Sequence, residues 1–278
     1  MKLAGRTAVV TGAGGGIGRA LAIALAKRRC NLALADIDEA GLEQTRGLVE
    51  GHAAGSHAAG SQAVNVSLHI LDVADQKAVA AFPAAVAQHH AKVDLLVNNA
   101  GVALGGYFEE ISEADFQWLF NINFWGVVWM TRAFLPLLRQ SDDAGIVTMS
   151  SLFGLISPPG QTAYSASKFA VRGFCNALRY ELQDSTVALT VVHPGGVATS
   201  IAKNSRKPKD RSAAQIAESV ARIEKLLRMP PQRAAEIIID GVAKGKARIL
   251  VGADAKAISL LERLMPVSYW NVLGRALK

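Results

Sequence analysis

Seven short apolar runs, at 6–11, 31–36, 68–72, 93–98, 145–150, 187–193 and 248–251, alternate with longer stretches of helical periodicity. The helical stretches fall near 17–28, 38–49, 75–90, 112–138, 162–184 and 231–244. Runs this short and this continuously apolar suit strands buried on both faces. Parallel strands need a crossover between partners, and the helical stretches supply it. The alternation predicts a doubly wound α/β domain, Rossmann-like, with a parallel sheet between two helical layers. At 278 residues the chain is long for one domain and short for two, and the strand–helix rhythm lasts to about residue 255.

Three stretches break the rhythm. Residues 52–61 repeat His-Ala-Ala-Gly-Ser, a pattern of small residues that reads as a flexible insertion rather than a pair of metal ligands at His52 and His57. Residues 199–232 form a long excursion before the last strand, with Ile216, Val220, Ile223 and Leu227 on one helical stripe. Loops at the carboxyl ends of strands border the ligand crevice of such sheets, so this segment is the expected substrate lid. Residues 256–278 form an amphipathic, basic extension carrying Leu260, Leu264, Tyr269 and Trp270 with Arg263, Arg275 and Lys278. It suits packing over a substrate entrance, a partner subunit or a membrane surface.

The net charge of +7 raises nucleic acid as a partner. Much of the excess is local, at Lys203, Arg206, Lys207, Lys209 and Arg211. No nucleic-acid motif and no basic stripe interleaved with aromatics accompanies it, so a solvated loop or a contact to a phosphate or coenzyme A tail explains it better. The only two cysteines, Cys30 and Cys175, have no disulfide or metal spacing, which suits a reducing cytoplasm. No secretory segment or membrane-spanning run is expected.

The first strand runs into Thr11-Gly12-Ala13-Gly14-Gly15-Gly16-Ile17-Gly18 and then a helix. Glycine lets backbone turn sharply or approach a ligand, and the helix N-terminus offers N–H groups to a pyrophosphate. The spacing departs from strict G-x-G-x-x-G, and alone it is also compatible with a plain tight turn. Asp36 closes the second strand, eighteen residues beyond Gly18. A carboxylate there accepts from ribose hydroxyls and repels a 2′-phosphate, which favours NAD over NADP. Asp72, before Val73, suits either an adenine contact or the cap of the next helix. Asn98-Asn99-Ala100-Gly101 closes the fourth strand with small residues that let a ribose approach.

Tyr164 and Lys168 are an i, i+4 pair, so a helix puts them on one face. A free phenol titrates near 10, and a neighbouring ammonium favours its phenolate. Ser151, at the end of the fifth strand, offers a donor to a carbonyl oxygen, with Ser150 as its local competitor. No G-x-S-x-G elbow surrounds it, which argues against a serine hydrolase.

Taken in order, Thr11-Gly12-x-x-x-Gly16-x-Gly18, Asn98-Asn99-Ala100-Gly101, Asn123-x-x-Gly126, Ser151, Tyr164-x-x-x-Lys168 and Pro194-Gly195 resemble the short-chain dehydrogenase/reductase family over residues 3–255. The resemblance implies an oxidoreductase interconverting a secondary alcohol and a ketone. In it Tyr164 is the acid/base, Ser151 polarises the substrate oxygen, and Lys168 tunes Tyr164 and holds the nicotinamide ribose. Asn123 matches the family's helix-kink asparagine, which supports a proton relay to Lys168. Cofactor contacts are implied at Gly12, Gly14, Gly15, Gly16, Ile17, Gly18, Asp36, Asp72, Val73, Asn99, Ala100, Gly101, Tyr164, Lys168, Pro194, Gly195, Val197 and Thr199. His193 reads as structural. No metal is expected. Val102, Leu104, Phe153, Leu155, Ile156 and Pro158 suggest a pocket for a lipophilic alcohol or ketone. The family also implies a homodimer or homotetramer built on the helices around 112–138 and 162–184. The alternatives are an NADP-dependent carbonyl reductase of the same family and, in another class, a non-catalytic dinucleotide sensor or scaffold.

Overall fold

A computed structural model describes residues 1–54, 64–208 and 211–276. The strands are β1 (Thr7–Thr11), β2 (Asn31–Asp36), β3 (Val66–Ile70), β4 (Leu95–Asn98), β5 (Ala144–Met149), β6 (Val187–Pro194) and β7 (Arg248–Val251). The helices are α1 (Gly16–Lys27), α2 (Glu39–Ala54), α3 (Gln76–Ala87), α4 (Glu113–Phe120), α5 (Gly126–Leu138), α6 (Thr162–Glu181), α7 (Ala213–Glu224), α8 (Pro231–Ala243), α9 (Ala253–Leu264) and α10 (Tyr269–Ala276). The strands form one parallel sheet in the order β3-β2-β1-β4-β5-β6-β7. Chain order reverses between β1 and β4, so a crevice opens there at the carboxyl edge.

Alternate strand residues feed two cores, because successive side chains leave a strand on opposite faces. On one face Val10, Leu32, Leu34 and Val97 pack with Leu21 and Leu25 of α1, Leu42 of α2 and Ile238 and Ile239 of α8. On the other, Val9, Leu96 and Ile146 pack with Phe82 of α3, Met130 and Phe134 of α5 and Val171 of α6. Phe134 is fully buried and meets Phe82 edge-on at 5.3 Å between ring centres. A side chain of this kind contributes about 1.5–3 kcal/mol by leaving water.

The structure corrects three expectations about elements. The third strand lies two residues earlier than its apolar run, because Asp36 of β2 pairs with Ile70 and the chain turns at Leu71. The expected helix 112–138 is broken into α4 and α5 by a π-helical turn at Asn121–Trp125. An inserted residue rotates side chains off the regular stripe, and here it carries Asn123 fully inside. The His-Ala-Ala-Gly-Ser repeat finishes α2 at Ala54 and from residue 55 lies outside the described residues.

The basic residues of the 199–232 excursion are internally matched rather than held out for a phosphate. Arg206 pairs with Asp115 at 2.9 Å and stacks 3.6 Å over the Trp118 ring. Arg211 meets both oxygens of Glu110, the shorter contact at 2.8 Å. Lys207 donates to the carbonyls of Ala202, Lys203 and Ser205, and Lys203 pairs with Glu224 at 3.3 Å. Lys209 lies outside the described residues. The excursion is thereby strapped to residues 103–118, with backbone bonds from Arg206 to Ala103 and Gly105. Its helix α7 starts at a Ser212–Gln215 capping box, which satisfies two orphan amides.

Candidate active site

Thr11 ends β1 and ties the glycine turn to β4. Its hydroxyl accepts from the Asn99 and Ala100 amides at 3.0 and 3.1 Å and donates to Val97 O at 3.3 Å. Asn99 returns the contact, donating its side-chain amide to Thr11 O at 2.9 Å and Gly12 O at 3.1 Å. The two strand ends at the crevice are thus sewn together before any ligand arrives. Such close approach requires glycine. Gly12 has φ +65°, and a Cβ there would lie 2.8 Å from Ala100 Cα; one on Gly18 would lie 1.9 Å from Gly12 O.

The residues present fit a dinucleotide. Helix α1 begins at Gly16 with no side-chain cap and no acidic residue in its first turn, leaving amides and positive dipole for an anion. A Cβ on Gly15 would meet nothing within 4 Å, so the space over the turn is open. Gly14 N donates to Asp36 Oδ2 at 2.8 Å, and Asp38 N donates to Oδ1 at 3.1 Å. Asp36 is therefore held at the crevice edge with lone pairs to spare. Arg19 donates to Gly14 O, to Thr45 Oγ1 at 3.0 Å and to Gly41 O at 3.3 Å, which occupies the nearest cation between α1 and α2. Asp72 does not cap α3. Asp75 does, accepting from Lys77 N and Ala78 N, while Asp72 is exposed and turns back on Ala74 N at 2.8 Å. The Val73 side chain is buried and packs on Gly126.

Ser151, Tyr164 and Lys168 come together where β5 meets α6. Ser151 lies two residues past the end of β5 and caps a short 3-10 turn, accepting from Phe153 N at 3.1 Å. Its hydroxyl also lies beside the Tyr164 phenol. Ser150 is not an equivalent choice, because its hydroxyl is buried and donates to Lys168 O at 3.0 Å. Lys168 is buried, donates to Met149 O at 3.1 Å, and lies 5.7 Å from the Tyr164 ring centre. Burial pushes its ammonium down to about 8. For Tyr164, burial pushes the phenol up, and the Ser151 hydroxyl pulls the other way. In the protein alone the net direction is thus upward, opposite to the expectation from Lys168 alone, because desolvation outweighs a cation this far off.

Asn123 exchanges two hydrogen bonds with Val102, accepting from its N–H at 2.9 Å and donating to its carbonyl at 3.0 Å. It also reaches Ser167 Oγ at 3.3 Å, and a Cβ on Gly101 would come 3.2 Å from Asn123 Oδ1 and 3.4 Å from Lys168 Nζ. The π turn thus places Asn123 beside Lys168. Val102 and Phe153 flank Tyr164, with the Phe153 ring edge-on at 6.1 Å. Leu104, Leu155 and Ile156 instead point into packed protein, because each is at most 3% exposed, so they do not wall an open pocket. Pro158 borders a separate hollow of about 380 Å³ with Pro159, Phe169 and Trp270.

Beyond β6, Thr199 lies against Gly16, where a Cβ would come 3.3 Å from the threonine methyl. Pro194 ends β6, and the Val197 amide is taken by Gly195 O at 2.9 Å. His193 is buried and donates Nδ1–H to Ser151 O at 2.9 Å, the only role a ring nitrogen can take toward a carbonyl. Burial depresses it to about 4, so it is neutral and structural. Thr11 is a support that the sequence did not assign, although the Thr-Gly start of the glycine turn was its signal; His193 has the structural role expected of it, and its partner Ser151 O is what the sequence did not show. Among the described residues no cluster could hold a metal.

The family model for short chain dehydrogenases matches residues 6–210. The oxidoreductase SadH of Mycobacterium tuberculosis is 45% identical over 272 residues, covering 97% of this chain and 94% of SadH. Retinol dehydrogenase 10-A of Danio rerio is 34% identical over 75% of this chain and 66% of its own length. A short-chain dehydrogenase/reductase from Burkholderia phymatum, solved in complex with NAD, superposes with a TM-score of 0.84 at 31% identity, covering 96% and 95% of the two chains. The turn sewn to β4 and the Ser151–Tyr164–Lys168 cluster lie within one matched span, and the chain belongs to the short-chain dehydrogenase/reductase family, as an NAD(P)-dependent oxidoreductase.

Proposed function

We propose that the protein uses NAD to interconvert a lipophilic secondary alcohol and its ketone, with Tyr164 as acid/base. The observation that carries this reading is the meeting of the Ser151 hydroxyl, the Tyr164 phenol and the Lys168 ammonium at the carboxyl edge of the sheet. A bound nicotinamide supplies hydride acceptance and donation. The chain's own residues handle the proton. Tyr164 takes it from the substrate hydroxyl in oxidation and returns it in reduction. The Ser151 hydroxyl, held by Phe153 N and lying beside the phenol, turns its O–H to the substrate oxygen as charge develops there. Lys168 holds the ribose and favours the phenolate, and Asn123 anchors the backbone around it.

Asp36 selects NAD by accepting from the ribose hydroxyls and repelling a 2′-phosphate, with Arg19 already occupied by three backbone or hydroxyl acceptors. The Gly12–Gly18 turn and α1 hold the pyrophosphate. Asp72, Val73 and Asn99–Gly101 line the adenosine and ribose path, and Pro194–Thr199 borders the nicotinamide. Residues 1–255 form the catalytic domain, with 199–232 as lid and 256–278 as an extension.

Exposed Trp125 on the π turn and Phe169 and Tyr180 on α6 form the face expected for a homo-oligomer. The extension exposes Leu260, Leu264 and Val267 beside Lys256 and Arg263, which suits peripheral contact with a membrane holding the substrate. Among the described residues no helix is long and apolar enough to cross one. The cytoplasm is the compartment that suits two buried free thiols. Screening lipophilic secondary alcohols with NAD⁺ and with NADP⁺, following nicotinamide absorbance at pH above neutrality, tests the reading. Turnover with NAD⁺ supports it; failure across the panel with both cofactors defeats it.

A further inference from the structure

Asp254 lies on α9, at the opposite end of the chain from the glycine turn, yet its carboxylate reaches the turn that leaves β6. Oδ2 accepts from Gly196 N at 2.7 Å. The carboxylate fills the side-chain space of Gly195, where a Cβ would lie 2.2 Å from Oδ2. It also fills that of Gly252, whose φ of +106° starts the bend from β7 into α9. Gly195 N meanwhile donates to Val251 O at 2.9 Å, so the β7–α9 junction grips two successive amides of the turn.

The carbonyl of the same residue belongs to the lid. Gly196 O accepts from Arg228 N at 3.0 Å and Met229 N at 2.9 Å, and Ala198 N donates to Met229 O at 2.8 Å. A Cβ on Gly196 would come 2.0 Å from Leu226 O, so the returning lid lies directly on it. Gly196 is thus held by Asp254 through its N–H and by the lid through its C=O. Three residues later Thr199 touches Gly16 of the cofactor cradle.

We infer that Asp254 is a positioning residue that fixes the Gly195–Thr199 turn, and with it the lid root, for the nicotinamide half of the cofactor. The inference rests on the dinucleotide reading above. A carboxylate accepting from an amide makes a stronger contact than a neutral acceptor, and Asp254 makes it with Gly196, a residue outside the Gly12–Gly18 cradle. Loss of Asp254 therefore acts on one end of the ligand. At the adenosine and pyrophosphate end the Gly14–Asp36 bond, the Thr11–Asn99 bonds and the open amides of α1 remain.

The test titrates wild type, Asp254→Ala and Asp254→Asn with NADH and with ADP-ribose, which lacks the nicotinamide. In Asp254→Ala, NADH affinity falls about tenfold while ADP-ribose affinity stays within about twofold. Asp254→Asn, which keeps an acceptor oxygen, recovers most of the loss. Gly195→Ala evicts the carboxylate and reproduces the Asp254→Ala pattern, and the double variant adds little to either. Equal loss for both ligands would reduce Asp254 to a general stabiliser and overturn the inference, as would unchanged NADH affinity. A wild type that binds ADP-ribose but shows no gain for NADH would also overturn it. A wild type that binds neither ligand would instead defeat the dinucleotide reading on which the inference stands.

Discussion

The Ser151 hydroxyl lies beside the Tyr164 phenol, although one residue caps a turn after β5 and the other rides the first turn of α6. Burial raises the phenol's pKa and the neighbouring Ser151 hydroxyl lowers it. Removing that hydroxyl must then raise it. Ser151→Ala shifts the rising limb of the alcohol-oxidation pH profile to higher pH, and kcat falls by about 10²-fold as the donor to the substrate oxygen is lost. Steady-state kinetics across pH checks both parts; a limb moved to lower pH would contradict the arrangement.

Tyr164→Phe removes the proposed proton acceptor and leaves the ring. Turnover drops by about 10²–10⁴-fold, while NADH affinity stays within about threefold, because the cradle at Gly12–Gly18 is untouched. Rate measurements paired with a fluorescence titration separate the two effects. Preserved turnover would remove Tyr164 from the chemistry.

Asp36 has two duties, and a substitution exposes both. Asp36→Ala frees the Gly14 and Asp38 amides, now bonded at 2.8 and 3.1 Å, and deletes the acceptor offered to the ribose. NADH binding weakens by about tenfold or more, and the ratio of NADH to NADPH affinity narrows. A ratio left unchanged would mean that another group selects the cofactor.

Lys168 sets function against stability. Burial lowers its ammonium from 10.5 to about 8, so the folded state is penalised while the group is charged in both states. That penalty is complete below about 8 and lifts as pH rises toward 10.5. Lys168→Met therefore has its most favourable Tm relative to wild type near pH about 7, with the difference declining toward pH about 10. Thermal melts across that range check the sign.

His193 works in the same direction at acid pH. Its value falls from 6.5 to about 4 because burial disfavours the imidazolium. The unfolded chain then binds more protons between those limits, and stability falls as pH drops from 6.5 toward 4. His69, depressed to about 4 by burial and by the nearby His89 and His90, adds to the loss. A His193→Gln variant shows a shallower decline in Tm over this window, with His69 and the likewise depressed His90 contributing to what remains.

Features set by local spacing were legible in the sequence. The strand rhythm, the glycine turn and the i, i+4 placement of Tyr164 and Lys168 need only a few consecutive residues to be recognised. The π turn was legible only through the resemblance, which marks Asn123 as a helix-kink asparagine; the apolar periodicity of 112–138 alone reads as one helix. The partners of the basic 199–232 excursion were hidden for another reason: Asp115 and Glu110 lie 91 and 101 residues from Arg206 and Arg211. A charge run shows its sign in the sequence, while its neutralisation is a tertiary fact. The same holds for His193 against Ser151, 42 residues apart.

The most direct measurement is a titration of the purified wild-type protein with NADH and, separately, with NADPH, read by fluorescence or calorimetry. Binding of both nucleotides is expected, with a clear preference for NADH of at least about tenfold, because Asp36 is proposed to face the adenosine ribose and repel a 2′-phosphate. Preference for NADPH would contradict the role given to Asp36, and binding of neither would contradict the proposed NAD-dependent chemistry itself.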